Sequence, residues 1–432
     1  MRFIVTPSSG MDNRYMGLSV KPLECNAACL SCYEREIFNC NSGAAGYDVD
    51  AAIETLKKQN EQRHPSIHGG EPLMLGKDRL EKLLRFCYEK WGASGIQTNG
   101  LLIDQDFIRL FIKYNTCIGV SVDGDTGALN MGRWNLNGAS RAGAGAGTQK
   151  TIDAIKLLAD YRVRVSIISI LRQYNAGPGR LDDFLAFLLR MEREAGIFDF
   201  RTNAGIVFDK SASPDEELTP ADLAAALCKI SDLCIQDRRR AWLPTRDMID
   251  LVLGFTDATC VFVGCDPYFT SAEVPILADG SLSSCMKPGF PRQGIVGGRA
   301  EKRSNARQEA LSQTDCKGCK YWHMCQGGCP GEAIDDDVRR KSRFCEAFKA
   351  TFEHIANRLS GLIPTLNLQR DYNARLDQQT IVQNLNGGSA WRQDRKKPVN
   401  PKPEQCQTQG PGDHGDGHGD KPHGDHTDRD KK

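Results

Sequence analysis

No stretch of this 432-residue chain approaches the roughly 20 consecutive apolar residues that a membrane helix needs. Its first residues, MRFIVTPSSGMDNR, lack the apolar core of a secretory signal. Neither sign of charge dominates: 56 Lys and Arg face 55 Asp and Glu, so no global field recruits nucleic acid or an anionic membrane. These absences point to a cytoplasmic globular protein, and 40% hydrophobic with 26% charged residues fits one. Cysteine is what the chain has in excess. There are 17, an odd number, with no export signal to suggest disulfides. In a reducing compartment clustered cysteines are more often metal ligands or catalytic groups, so their spacing has to decide.

One hydrophobic core seldom serves more than about 250–300 residues, and three regions are expected: 1–240, 241–385 and a tail, 386–432. In the first, strand candidates are Gly17–Glu24, Ser66–Gly69, Gly95–Thr98, Cys117–Val122, Val163–Leu171 and Phe198–Val207. They alternate with helical patterns at Val49–Gln59, Arg79–Trp91, Gln105–Tyr114, Gln149–Asp160, Leu181–Ala195 and Pro220–Asp237. The run LEKLLRFCYEKW, for instance, puts Leu80, Leu83, Leu84 and Cys87 on one helical face. Six β–α units in series argue for an α/β fold with a parallel sheet, open or closed into an incomplete barrel. Working groups in such folds stand at the C-terminal ends of the strands. The loop Gly138–Gly147 could cradle a phosphate but lacks a Lys-Ser/Thr ending, and reads as a lid or linker. From about 255 to 350 the pattern is irregular and cysteine-dense; a helix follows at Glu346–Leu359, with weaker helical signal to about 384. The tail is Lys, Pro, Gln, Gly, Asp and His, a composition that cannot bury a core. Its His414, His418, His423 and His426 could bind a divalent metal loosely or simply stay solvated.

Directly after the first strand, ECNAACLSCYE spaces Cys25, Cys29 and Cys32 as Cys-x3-Cys-x2-Cys. Three close thiolates can hold three irons of a 4Fe–4S cube and leave the fourth open to a chelating cofactor. The alternatives are a zinc site or unrelated thiols. Zinc prefers four ligands in paired spacing, which this trio does not offer.

Three later motifs stand in order behind the trio. HGGEP supplies Gly69, Gly70, Glu71 and Pro72; IQTNG ends the third strand with Thr98 and Asn99; GVSVDG ends the fourth with Ser121 and Asp123. Together they resemble the radical S-adenosylmethionine (SAM) superfamily, in its maturase branch. The resemblance implies a partial (β/α)6 TIM barrel. It also implies that Gly69 to Pro72 expose backbone acceptors to the SAM amino group, that Thr98, Asn99 and Asp123 lie at the cofactor, and that Ser121 meets the ribose. Arg133, nine residues beyond Gly124, stands where the branch keeps an Arg near SAM's carboxylate and ribose; the alternative is a solvated loop residue. One departure is that Ser31, rather than an aromatic, precedes the third cysteine, with Tyr33 just after it. The implied chemistry is reductive cleavage of SAM to methionine and a 5′-deoxyadenosyl radical, which removes hydrogen from an unactivated carbon. A non-catalytic iron–sulfur relay is the alternative class; the intact HGGEP and open trio argue against it.

Residues 260–345 hold eight more cysteines: Cys260, Cys265, Cys285, Cys316, Cys319, Cys325, Cys329 and Cys345. The run CKGCKYWHMCQGGC, with Gly280 five residues before Cys285, resembles the SPASM extension, a cysteine-rich domain with a short β-hairpin and helices that binds two auxiliary 4Fe–4S clusters. By that pattern Cys316, Cys319, Cys325 and Cys345 would hold the distal cluster. Cys265, Cys285 and Cys329 would hold the proximal one, with Cys260 as candidate fourth ligand. Two closed zinc sites are the competing reading of eight thiolates. His323 reads as a packing or hydrogen-bonding residue. Cys87, Cys117 and Cys228 read as small buried hydrophobes, Cys40 and Cys234 belong to the first region, and Cys406 reads as an exposed thiol.

The resemblance further implies a peptide or protein substrate and an electron donor such as flavodoxin or ferredoxin. Sulfatase maturases carry an Asp just after the position of Cys285, where it acts as base. This chain has Met286 and Lys287, and a thioether cannot deprotonate a substrate. Crosslinking of a ribosomally made precursor peptide is therefore expected ahead of formylglycine formation. No leader-binding domain fits before Cys25, so leader recognition is expected to need another surface or a separate leader-binding protein.

Overall fold

The computed structural model describes residues 17–20, 24–30, 32, 47–59, 64–133, 144–205, 216–237, 239–255, 258–265, 273–282 and 306–360. Ser31, Tyr33, Cys40, Cys285, Met286, Lys287, Cys406, the helical signal beyond 360 and the histidines of the tail lie outside the described residues.

The first half alternates strand and helix: β1 (Gly17–Val20), α1 (Val49–Lys57), β2 (Ser66–Ile67), α2 (Lys77–Trp91), β3 (Ser94–Thr98), α3 (Gln105–Lys113), β4 (Thr116–Ser121), α4 (Ala144–Asp160), β5 (Val165–Leu171), α5 (Leu181–Ala195) and β6 (Phe200–Ala204). After these come α6 (Pro220–Gln236), α7 (Thr245–Val252), β7 (Glu273–Ile276), α8 (Ala306–Gln313) and α9 (Cys345–Ser360). All seven strands are parallel in one sheet, ordered β6-β5-β4-β3-β2-β1-β7. The first six follow chain order, as an incomplete βα barrel requires, and β7 returns from the cysteine-rich half to pair with β1. That added strand was not expected from the sequence. Its four residues EVPI carry a proline and no alternation, and the edge of β1 pairs with all four of them.

Register explains which face does what. Ile276, Val20, Ile67, Ile96, Ile118 and Val165 occupy one level across six strands, and all are buried. One level up, Thr98, Val120, Ile167 and Phe200 do the same. This face joins the core with Leu80, Leu83, Leu84 and Cys87 of α2 and Phe184, Leu188 and Met191 of α5. Truncating one such side chain to Ala costs about 2–5 kcal/mol. Residues of the other parity, among them Gln97, Gly119, Ser121, Ile168 and Arg201, line the opposite, inner face.

The helix ends carry their expected signals. Asp48, Asp104 and Thr219 cap α1, α3 and α6 through side-chain oxygens, and Gly92 closes α2 in the left-handed region. Two expectations need correcting. Helix α4 starts at Ala144, not Gln149, so the end of the Gly-rich run is helical; alanines carry it despite the glycines. Cys117 and Cys228 are half-buried rather than buried. Helix α7 was missed because Arg246, Asp247 and Asp250 break its apolar pattern, yet all three are buried in ionic and hydrogen-bonded contacts. No described helix is long and apolar enough to cross a membrane.

Beyond the pairing of β7 with β1, aromatic packing and the turn after β7 fasten the cysteine-rich half to the barrel. Phe262 packs edge-on against Phe348 and Phe352 of α9, which lies along α6. The turn after β7 rests on α1: Thr55 donates to the Gly280 carbonyl (2.5 Å) and Asp48 N–H to the Ala278 carbonyl (3.0 Å). Gly280 has φ +79°, and a Cβ there would stand 2.7 Å from the Ala51 carbonyl oxygen. Only glycine allows that approach.

Candidate functional site

The trio lies on the loop after β1, at the C-terminal edge of the sheet. Cys25, Cys29 and Cys32 are each half-buried, and the Cys32 N–H turns back to the Cys29 carbonyl (3.1 Å). The loop is held from both sides. Glu71 N–H donates to the Glu24 carbonyl (2.6 Å), and Leu30 N–H donates to the Gly132 carbonyl (2.9 Å). The turn after β2 and the loop carrying Arg133 therefore set the trio's position.

Gly69 and Gly70 both adopt positive φ (101° and 59°), a pair of conformations that side chains resist. They deliver Glu71 into the interior at 1% exposure. Its carboxylate accepts from the Thr98 hydroxyl (2.7 Å), Asn99 N–H (2.8 Å) and Leu73 N–H (3.1 Å). Burial nevertheless lifts its pKa to about 6, against those three bonds. Asn99 then donates its amide to Asn26, between the first two cysteines (2.7 Å). Thus Gly69, Gly70, Glu71, Pro72, Thr98 and Asn99 form one connected bracket around the trio.

A second bracket comes from the end of β4. Asp123, 1% exposed, holds Arg133 (2.8 Å) and accepts from Ile170 N–H (2.8 Å). Asn130 accepts from Asp123 N–H (2.7 Å), and Asn175 donates to the Asp123 carbonyl (3.2 Å). Burial opposes charge on Arg133, but Asp123, Cys29 and Tyr174 together raise its pKa further. The guanidinium is therefore a fixed cation beside a cysteine of the trio. Its Nε–H is buried with no hydrogen-bond partner among the described residues, a free donor beside the thiols. Ser121, buried on the inner face, accepts from Gln97 at the long distance of 3.5 Å.

In the C-terminal half Cys316, Cys325 and Cys345 are buried and Cys319 is half-buried. They are near enough to feel one another's charge. Burial and then Cys345 and Cys319 push the Cys316 thiol up to about 11; burial, Cys345 and other thiols push Cys325 up to about 12. Thiols that repel when ionised are stabilised once cationic iron stands between them. Among the described residues no three His, Cys, Asp or Glu side chains converge on one metal-ion position. Cys329 is buried, Cys265 half-buried and Cys260 exposed. Asp247 of α7 fixes the turn that carries Cys260 by accepting Thr259 N–H (2.7 Å). His323 is exposed by surface area and hydrogen-bonded to the Lys320 backbone, and the protein packed around its ring holds its pKa down.

Arg307, 2% exposed, ties this half together. It donates to the carbonyls of Val338 (2.6 Å), Gly327 and Arg340 (3.3 Å each) and Cys265 (3.4 Å). Sequence reasoning missed it, as it missed Asn26, Asn130, Tyr174 and Asn175. Arg307 sits in the patternless run SNARQEALSQ, where nothing distinguishes a buried arginine from a surface one.

Residues 23–185 match the Radical SAM superfamily. The chain is a radical SAM enzyme, with SAM and 4Fe–4S clusters as its cofactors. It is similar to anaerobic sulfatase maturases and to SPASM-branch peptide maturases. Among curated relatives, the cysteine-type anaerobic sulfatase-maturating enzyme of Clostridium novyi is 24% identical over 386 residues, covering 81% of this chain and 98% of the relative. The solved structure of native anSMEcpe with bound AdoMet superposes with a TM-score of 0.64 at 19% identity, over 81% of this chain and 100% of that one. Its complex with AdoMet and the Cp18Cys peptide gives 0.60 at 18%, over 81% and 99%. SuiB of Streptococcus suis gives 0.51 at 17%, over 76% of each chain.

Proposed function

We propose that this enzyme removes hydrogen from a ribosomally made precursor peptide and closes a thioether or carbon–carbon crosslink. The observation that carries the reading is the half-buried trio set beside a buried Asp123–Arg133 pair whose Nε–H is free among the described residues. Cys25, Cys29 and Cys32 would hold three corners of one cube. The Gly69–Pro72 turn would receive the amino group of SAM, Arg133 its carboxylate, and Ser121 its ribose, with Thr98, Asn99 and Asp123 holding those groups in place. When bound, cluster and SAM supply a 5′-deoxyadenosyl radical. Cys316, Cys319, Cys325 and Cys345 would hold the distal auxiliary cluster, and Cys260, Cys265, Cys285 and Cys329 the proximal one. The division at 1–240, 241–385 and 386–432 suits this assignment. So do a cytoplasmic setting, a flavodoxin or ferredoxin as donor, and a separate leader-binding protein; neither nucleic acid nor membrane enters.

A second reading, formylglycine formation in a sulfatase, is supported by sulfatase-maturating relatives that align over four fifths of the chain. Met286 in place of an acidic residue weighs against it. The test is anaerobic reconstitution with dithionite and SAM, followed by mass spectrometry of two substrates: the short peptide encoded nearest the gene, and a sulfatase-derived cysteine peptide. Crosslinking removes two hydrogens; a thioether also consumes a thiol, whereas a carbon–carbon bond does not. Formylglycine formation from cysteine also removes two hydrogens, and in addition exchanges sulfur for oxygen. No release of 5′-deoxyadenosine would overturn both readings and favour the relay.

A further inference from the structure

The inner face of the sheet carries a feature that cluster and cofactor binding leave unused. Register puts Ser121 of β4, Ile168 of β5 and Arg201 of β6 at one level. Ile170 and Asn203 stand side by side two residues further toward the C-terminal edge. Phe200 and Thr202 turn to the buried face, so Arg201 and Asn203 project from the other. Arg201 is exposed, Asn203, Ile168 and Ile170 are half-buried, and among the described residues the Arg201 guanidinium has no hydrogen-bond or ion-pair partner. Adjacent strands lie about 4.8 Å apart, which puts the Arg201 backbone about 10 Å from that of Ser121.

We infer that Arg201 and Asn203 form the docking point for an acidic side chain of the peptide substrate, close to the residue that loses hydrogen. The inference rests on the peptide-maturase reading and adds a specificity to it. A guanidinium fork matches a carboxylate in two parallel hydrogen bonds. The Asn203 amide can donate to a peptide carbonyl and accept from a peptide N–H. Ile168 and Ile170 give an aliphatic floor to the stem of Asp or Glu. One cation beside Asn203, Ile168 and Ile170, among the described residues, suits one carboxylate rather than a phosphate chain, which needs many cations. Held there, the peptide lies one arginine's reach from the side of the sheet where Ser121 would meet the ribose.

The test uses the reconstituted holoenzyme with SAM, dithionite and a pool of short synthetic peptides randomised around a fixed cysteine. Modified members are identified by mass change and sequenced. The unsubstituted enzyme is expected to enrich Asp or Glu at a fixed offset from the modified residue by roughly tenfold or more over the input. Arg201→Met is expected to abolish that enrichment, and Arg201→Glu to replace it with Lys and Arg, a gain that misfolding cannot produce. Unchanged acidic enrichment in Arg201→Met, no acidic enrichment in the parent, or SAM cleavage with no modified peptide would each overturn the inference. Failure of the parent enzyme to release 5′-deoxyadenosine without peptide would instead overturn the underlying reading.

Discussion

The two cysteine groups are built in opposite ways. The N-terminal trio is half-buried on a loop whose position is set by neighbours, beside a fixed cation whose Nε–H has no partner among the described residues. The C-terminal quartet is mostly buried, and its thiols face one another. A cluster that must chelate a cofactor needs an open corner and an oriented surrounding. One that only passes electrons gains from being sealed, because a dry environment and fixed dipoles set its potential. The buried cations follow the same division. Arg133 is balanced by a carboxylate and feels the charge of Cys29, whereas Arg307 is enclosed by main-chain carbonyls and holds loops together.

The largest expected effect separates the two groups outright. Replacing Cys25, Cys29 and Cys32 by Ala is expected to bring 5′-deoxyadenosine release down to background while the quartet keeps its iron. Cys325→Ala is expected to do the reverse: it loses iron from the C-terminal half and retains most of the peptide-free SAM cleavage. Iron analysis and product chromatography on the two variants check both arms. If the trio variant still cleaves SAM, the open-corner assignment is wrong.

How much of this was legible in the sequence follows the same division. The barrel helices and strands could be read because Val, Ile, Leu and Phe recur at regular spacing, as in α2 and α5, whose buried residues are those the pattern picks out. Glu71, Asp123 and Arg133 could be singled out because HGGEP, GVSVDG and the Arg beyond them resemble the motifs of a known family, yet the pairing of Asp123 with Arg133 could not. Nothing local encodes a contact that closes across a loop. In the cysteine-rich half the spacing of thiols was visible and the scaffold was not. Helix α7 hides behind buried charges, β7 exists only because β1 offers an edge, and Arg307 acts through main-chain carbonyls that carry no side-chain signal.

The two buried arginines should fail differently. Asp123→Asn keeps the shape but strips Arg133 of its counter-charge, and breaking a buried pair in this way costs about 3–5 kcal/mol. Its loss should appear in denaturant unfolding and in weaker SAM binding, with the iron of the quartet unchanged. Arg307→Met removes the donor from four carbonyls, expected to cost about 2–4 kcal/mol after packing of the new side chain. Here the iron of the C-terminal half should fall while SAM binding persists. Equal effects of the two variants on both readouts would mean that the halves fold as one unit, and the contrast between them would be lost.

The smallest expected difference lies in the response to pH, and it belongs to the trio's side alone. Glu71 is raised from 4.5 to about 6 by burial. Between those values the unfolded chain has released the proton while the folded protein still holds it. Stability from this group is therefore complete below pH 4.5 and is lost as pH rises through about 6, with a full span of about 2 kcal/mol. Asp237 and Asp337, held at about 2 chiefly by hydrogen bonds from their neighbouring arginines, lose their contribution only in stronger acid and stay silent in this window. Glu71→Gln removes the titration and keeps the volume. The stability difference between parent and variant, measured by urea unfolding, should therefore shrink by about 1 kcal/mol from pH 5 to pH 7. A difference that stays flat would mean that Glu71 is ionised throughout. The bracket around the trio would then be held by a buried carboxylate, whose charge the three donors from Thr98, Asn99 and Leu73 suffice to stabilise.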